Sequence, residues 1–397
     1  MFLVTVLVAG LGSLFAPLTR ALAITDGFNQ QNLGASGHSS SFIDGSIFKK
    51  HGEMSTLMET QNEFHIEDDF NPPYSGIATF AHLNWTNCFV PASDESFDIG
   101  IVGAPFDLGV TYRPGERFGP SGARSGSRRL DPSMAYSMDH GVNPFLDWAS
   151  VVDCGDINTP FDKLQAIHEL EAGWAKIGSR KPENKAKGTM SDLFPSEEIT
   201  LSHTWGKVAV LHFDSHLDTW DPKQLGGGLT KYSEVTHGSM LHLAHNEGLL
   251  SEDSNMHLGS RSMLFDKTYD LKNDARCGFT AIRARMIDEI GIDEIVRRIV
   301  DTVGDNYVYV SIDIDVLDPD WWKAFAPATG AIEPGGWTSR ELLQILSGLS
   351  QAGLPIVGAD VVEFSPVYDN RADTTAITVT QIVYEVLQWM VRVPVKK

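Results

Sequence analysis

The stretch VAVLHFDSHLDTW, residues 208–220, decides the reading of this 397-residue chain. Its opening VAVLHF is apolar apart from His212 and has the length of a buried strand. Asp214, His216 and Asp218 follow at alternate positions. A strand puts residues i, i+2 and i+4 on one face, so the three converge at the strand's carboxyl end. A second run, VYVSIDIDVLD at 308–318, repeats the device with Asp313 and Asp315. Neither run contains Lys or Arg, and burying carboxylates together without cations is prohibitive. An oxygen-rich, thiolate-free set with an imidazole suits a hard or borderline divalent metal, manganese before zinc or iron. A carboxylate bridging two such ions would make a binuclear site that turns a bridging water into hydroxide near neutral pH.

Outward from these runs, strand-length apolar segments recur at FDIGIVGAP (97–105), ASVVDCGD (149–156), NMHLGSRS (255–262) and LPIVGADVVEF (354–364). Helix-like stretches separate them: DKLQAIHELEAGWAKIG (162–178), IDEIVRRIVDTVG (292–304), SRELLQILSGLSQAG (339–353) and TAITVTQIVYEVLQWMVR (375–392). Buried strands alternating with helices predict an α/β domain on a parallel sheet, with the ligand site at the carboxyl ends of the strands.

Residues 1–23 are of a different character: an uncharged apolar run ends in Ala21-Leu22-Ala23, which fits a cleavable signal peptide. An uncleaved anchor is the alternative. That places the chain in the secretory pathway, secreted or vacuolar, with no stable membrane span once the leader is removed. Residues 24–74 read as a polar extension and 75–397 as the catalytic domain. Asn84, in Asn84-Trp85-Thr86, is the glycosylation candidate. Of the three cysteines, Cys154 reads as core, and Cys88 with Cys277 is the candidate disulfide. A net charge of −21 argues against nucleic acid as a partner.

FDSHLD (213–218) and SIDIDVLDP (311–319) resemble two of the three signature motifs of the ureohydrolase family of arginases and agmatinases. GAPFDLGVTYRPGERFGPSGAR (103–124), DCGD (153–156), THG (236–238), APATGAIEPGG (326–336) and GADVVEFSP (358–366) extend the resemblance on the agmatinase side. The resemblance implies a three-layer α/β/α sandwich on a mostly parallel, eight-stranded sheet. It also implies two Mn2+ ions and hydrolysis of a guanidino group to urea and an amine. By motif, Asp214 and Asp313 bridge the metals, His216 and Asp315 complete one ion, and Asp218 binds the other. His237 matches the proton-shuttling histidine and Glu333 the carboxylate that holds the guanidinium. On their own, these two read as loop residues. The family also implies a homo-oligomer and a small cationic substrate, agmatine first. A guanidinobutyrase or other amidinohydrolase is the alternative.

The third motif, Gly-Gly-Asp-His, is absent. Ile199–Leu201 read as the strand that should carry it, yet only Ser202–Lys207 separate that strand from VAVLHF. A parallel crossover takes about a dozen residues or more. Either Ile199–Leu201 lie outside the parallel sheet or, the reading preferred, a strand-end loop and its helix near 201–207 are absent, and His203 is a substitute candidate ligand. One metal is left short of an imidazole, and a catalytically impaired relative becomes a second reading. The Asp320–Lys323 stretch adds residues to a loop beside the site.

Overall fold

The computed structural model describes residues 2–8, 78–89, 96–178, 180, 182–184, 205–224, 231–266, 268–319 and 327–395. For residues 2–8 this extends to the backbone alone. The chain divides into one unit of Met1–Arg20 with Ile77–Lys397 and a second of Ala21–Gly76. The polar extension, His203, Ile199–Leu201 and Asp320–Lys323 lie outside the described residues.

Eight parallel strands make one sheet: β1 (Phe2–Val8), β2 (Ile99–Pro105), β3 (Val151–Asp156), β4 (Ala209–Phe213), β5 (Asn255–Ser260), β6 (Phe279–Arg283), β7 (Val308–Asp313) and β8 (Ile356–Val362). Their order is β3-β2-β1-β8-β7-β4-β5-β6. β4, β7 and β8 are buried along their whole length, as expected of strands covered on both faces. Each buried Val, Leu or Ile there contributes roughly 1.5–3 kcal/mol.

The helices include α1 (Gly119–Gly126), α2 (Lys163–Gly178), α3 (Met240–Asn246), α4 (Tyr269–Arg276), α5 (Met286–Val303), α6 (Ser339–Gln351) and α7 (Thr374–Arg392). Helix α7 packs on α1, α6 and β8, and α5 packs on α6, β5 and β6, within a three-layer α/β/α sandwich. Helix α6 starts where its sequence says it should. Thr338 and Glu341 form a reciprocal cap, with Glu341 N–H donating to Thr338 Oγ1 at 3.2 Å and Thr338 N–H to Glu341 Oε2 at 2.7 Å. Among the described residues no helix is long and apolar enough to cross a membrane.

β1 lies inside the stretch read as a leader. It pairs with β2 from Phe2↔Ile99 to Val8↔Pro105 and with β8 from Leu3↔Gly358 to Thr5↔Asp360. A leader cut after Ala23 would carry this strand away and leave the facing edges of β2 and β8 unpaired, so β1 and a cleaved leader exclude one another.

The cysteine expectation is corrected. Cys88 and Cys154 form the disulfide, with Cα atoms 5.2 Å apart, while Cys277 is free and buried. The cause is local. Thr86 N–H donates to Asp153 O at 2.9 Å and Asp153 N–H to Asn84 O at 3.0 Å, which lays the Asn84–Cys88 segment alongside β3. Asn84 itself is exposed.

Candidate active site

The carboxyl ends of β4 and β7 meet at the middle of the sheet, where they pair from Ala209↔Val308 to Phe213↔Ile312. Beyond them the backbone leaves strand geometry at once. Asp218 takes a left-handed φ of 54°, tolerable for Asp, and a short helical turn at Ile314–Val316 carries Asp315. That turn needs room beneath it. Gly259, at the end of β5 with φ of 100°, provides it, because a Cβ there would stand 2.5 Å from Val316 Cγ2.

Two ligand groups result, each with its donor atoms within 4.8 Å of one another: His212, Asp214 and Asp218, and Asp214, His216 and Asp315. Asp214 belongs to both and offers each a different oxygen. Its Oδ2 lies 3.0 Å from His212 Nε2, and its Oδ1 lies 3.2 Å from His216 Nδ1. His212 Nε2 is also 3.9 Å from Asp218 Oδ2, and His216 Nδ1 is 3.0 Å from Asp315 Oδ2. Ser215 holds Asp315 by the other oxygen, its N–H and Oγ donating to Oδ1 at 3.1 and 2.8 Å. Asp313 is buried beside these groups, its Oδ1 accepting Asp315 N–H at 2.8 Å, and it joins neither.

The electrostatics demand added positive charge. Burial opposes ionisation of Asp214, but the facing imidazoles, His212 first, outweigh it and hold its pKa well below the usual range. Asp218 is pushed up to about 7 by burial and then by Asp214. Asp313 is driven well above its ordinary value by burial, Asp315 and Asp214, and Asp315 is raised by burial and Asp214. Burial disfavours charge on His216, yet Asp315 and Asp214 lift it to about 12. No Lys or Arg among the described residues pairs with the four aspartates. Asp214 Oδ2 and Asp315 Oδ2, both buried, accept no hydrogen bond. Buried oxygens of this kind are normally satisfied, and the donors here fit two divalent cations that share Asp214.

Beside this cluster His237 is held from both sides. Its Nδ1 meets the Glu363 carboxylate, and its Nε2 accepts Thr111 N–H at 2.6 Å, with Thr111 Oγ1 at 2.7 Å. Burial opposes the imidazolium, and Glu363 outweighs it, raising the pKa to about 9. Glu333 is half-buried, with Oε1 3.9 Å from His216 Nε2. Its backbone carbonyl is fixed by Arg261, through Nε at 3.1 Å and Nη2 at 2.6 Å.

Residues 97–388 match the Arginase family. The chain belongs to the arginase family. Among the relatives of this arginase-family chain, "Putative agmatinase 1" of Schizosaccharomyces pombe is 47% identical over 343 residues, 82% of this chain and 84% of the relative. The "Agmatinase" of Neisseria meningitidis serogroup C is 34% identical over 315 residues, 78% of this chain and 92% of the relative. The solved structure of proclavaminate amidino hydrolase from Streptomyces clavuligerus superposes with a TM-score of 0.66 at 30% identity, covering 81% of this chain and all of that one.

In this family member the structure brings together Asp214, His216, Asp218 and Asp315, with His237 and Glu333 alongside. It adds two residues that the sequence reading left out of the site. The first is His212, whose place two residues before Asp214 puts it on the same strand face. Glu363 lies in the GADVVEF run, where a carboxylate at the end of an apolar strand was the available signal. Asp153 and Asp156 clamp a buried arginine. Arg124 Nε and Nη2 donate to Asp153 at 2.8 and 2.9 Å, and Nη1 donates to Asp156 at 2.6 Å. Asp153 also caps the turn by accepting Gly155 N–H at 2.9 Å. Arg124→Ala leaves Asp153 charged, buried and short of its partner, so urea denaturation should show a loss of about 3–5 kcal/mol. A loss under about 1 kcal/mol would mean that the clamp contributes little.

Proposed function

We propose that this ureohydrolase uses manganese to hydrolyse agmatine to putrescine and urea. The observation that carries the reading is the sharing of Asp214 between two ligand groups beside the His237–Glu363 pair. Two bound divalent cations lower the pKa of coordinated water into the neutral range and so supply the nucleophile. The chain's own residues do the rest. Glu333, anchored through Arg261, receives the guanidinium fork by charge-assisted hydrogen bonds. Against burial, Glu363 raises the His237 pKa to about 9, and His237, once protonated on Nε2 in place of the Thr111 N–H contact, gives that proton to the amine nitrogen as the carbon–nitrogen bond breaks. Glu363 keeps that imidazolium charged and aimed. The oxygen of water ends on urea, and its two hydrogens leave with the alkyl chain as a protonated amine.

Agmatine as substrate is supported by the agmatinase-named relatives and by the chain's net charge of −21, which favours a cationic substrate. Passage through the secretory route is supported by the Cys88–Cys154 disulfide, which persists in oxidising compartments. A homo-oligomer is proposed by analogy with the family.

Urea release from agmatine, arginine and 4-guanidinobutyrate, with Mn2+ present, tests the reading. Agmatine should give the highest kcat/KM. A higher value for 4-guanidinobutyrate would make the enzyme a guanidinobutyrase. No urea from any of the three, with the chain shown folded, would contradict the activity.

A further inference from the structure

The Gly-Gly-Asp-His motif is absent from the sequence, and among the described residues neither cation group takes an imidazole from the chain preceding β4. The structure offers one from within β4. His212 is buried on the same face as Asp214, with Nε2 3.0 Å from Asp214 Oδ2 and 3.9 Å from Asp218 Oδ2.

The other edge of the ring shows why Nε2 is available. His212 Nδ1 lies 3.0 Å from His257 Nδ1, and His257 Nε2 lies 2.8 Å from Asp274 Oδ1. Thr219 Oγ1 donates to that same oxygen at 2.8 Å. Asp274 is an acceptor, so His257 donates through Nε2. His257 is fully buried and stacked on Phe279 with ring centroids 4.1 Å apart, a setting that favours the neutral ring. Its Nδ1 is then bare and must accept, which places the His212 proton on Nδ1. His212 Nε2 is then the ring nitrogen that faces the two carboxylates, and it stands with them in one cluster of donor atoms within 4.8 Å of one another, where a cation would be shared by all three.

We propose that His212 Nε2 ligates a divalent cation together with Asp214 and Asp218, and that Asp274 and His257 hold its tautomer. This extends the usual carboxylate–histidine–metal arrangement by one imidazole. It rests on the two-cation reading given above, and it means that the group left short by the missing motif regains a nitrogen donor.

Pulsed EPR on the full chain titrated with Mn2+ tests it. In His216→Ala the other imidazole of the two groups is gone, so 14N modulation from a coordinated ring should come from His212. It should be present there and absent in the His212→Asn, His216→Ala double variant. On the wild-type background, His212→Asn should lose one coordinated nitrogen while keeping its circular dichroism. His257→Phe, which touches no ion, should weaken Mn2+ binding about 10–100-fold. Mn2+ bound to His216→Ala with no 14N coupling, or to His212→Asn with unchanged nitrogen count, would overturn the role of His212 and leave the two-cation reading standing. No Mn2+ on the wild-type chain would overturn both.

Discussion

Asp214→Asn should lower urea release from agmatine by about 10³-fold or more, equivalent to roughly 4 kcal/mol of transition-state stabilisation. The substitution keeps size and shape, so the fold should survive. It also keeps an oxygen that can accept His216 N–H, now at 2.6 Å from Oδ1. What it removes is the charge that both ligand groups share. An amide has one oxygen to offer, while its NH2 would face either His212 Nε2 or His216 Nδ1. No other residue belongs to both groups, so nothing nearby restores the bridge. Steady-state kinetics with Mn2+ in excess measures the effect. A variant retaining a tenth of the wild-type rate would show that Asp214 is not the shared ligand.

His237→Ala should cost about 10²–10⁴-fold in kcat, the usual worth of a positioned acid. Its pH dependence gives the sharper reading. The imidazolium is the acting form, and its pKa is raised to about 9 because Glu363 outweighs burial. Activity that depends on it is present below that value and falls as pH rises through it. Glu363→Gln removes the charge but keeps a group that can accept from Nδ1. Burial then dominates, the His237 pKa falls, and the basic limb of the kcat profile moves to lower pH. A limb that stays in place in Glu363→Gln would assign it to another group, and the wild-type pair of profiles decides this without reliance on folding of the alanine variant.

Much of this architecture is legible from the residues. VAVLHF, VYVSID and IVGADVV are buried runs of strand length, and each became a strand with every residue covered. The alternate spacing of Asp214, His216 and Asp218 announced convergence, and the four longest helices among the described residues lie within about two residues of their expected bounds, except that α5 starts at Met286, six residues before its expected start. Two strands were missed for opposite reasons. β6 is a short edge strand whose FTAIR alternates unevenly between buried and exposed positions, so it lacks the signal of a central strand. β1 has too strong a signal: an uncharged apolar run fits a leader and a buried central strand equally well. His212 was missed because an imidazole inside an apolar strand reads as a packed core residue until its partners are known. Those partners, His257 and Asp274, are 45 and 62 residues away in sequence, and only the pairing of β4 with β5 and the seating of α4 bring them together. The Cys88–Cys154 pairing was hidden for the same reason, since it depends on hydrogen bonds between the Asn84–Thr86 backbone and β3.

The central claim is that this chain assembles a complete two-cation site although its Gly-Gly-Asp-His motif is absent. Elemental analysis of the purified full chain, saturated with Mn2+ and then dialysed against metal-free buffer, tests it most directly. Two manganese ions per chain are predicted. One ion per chain, or none, would contradict the account.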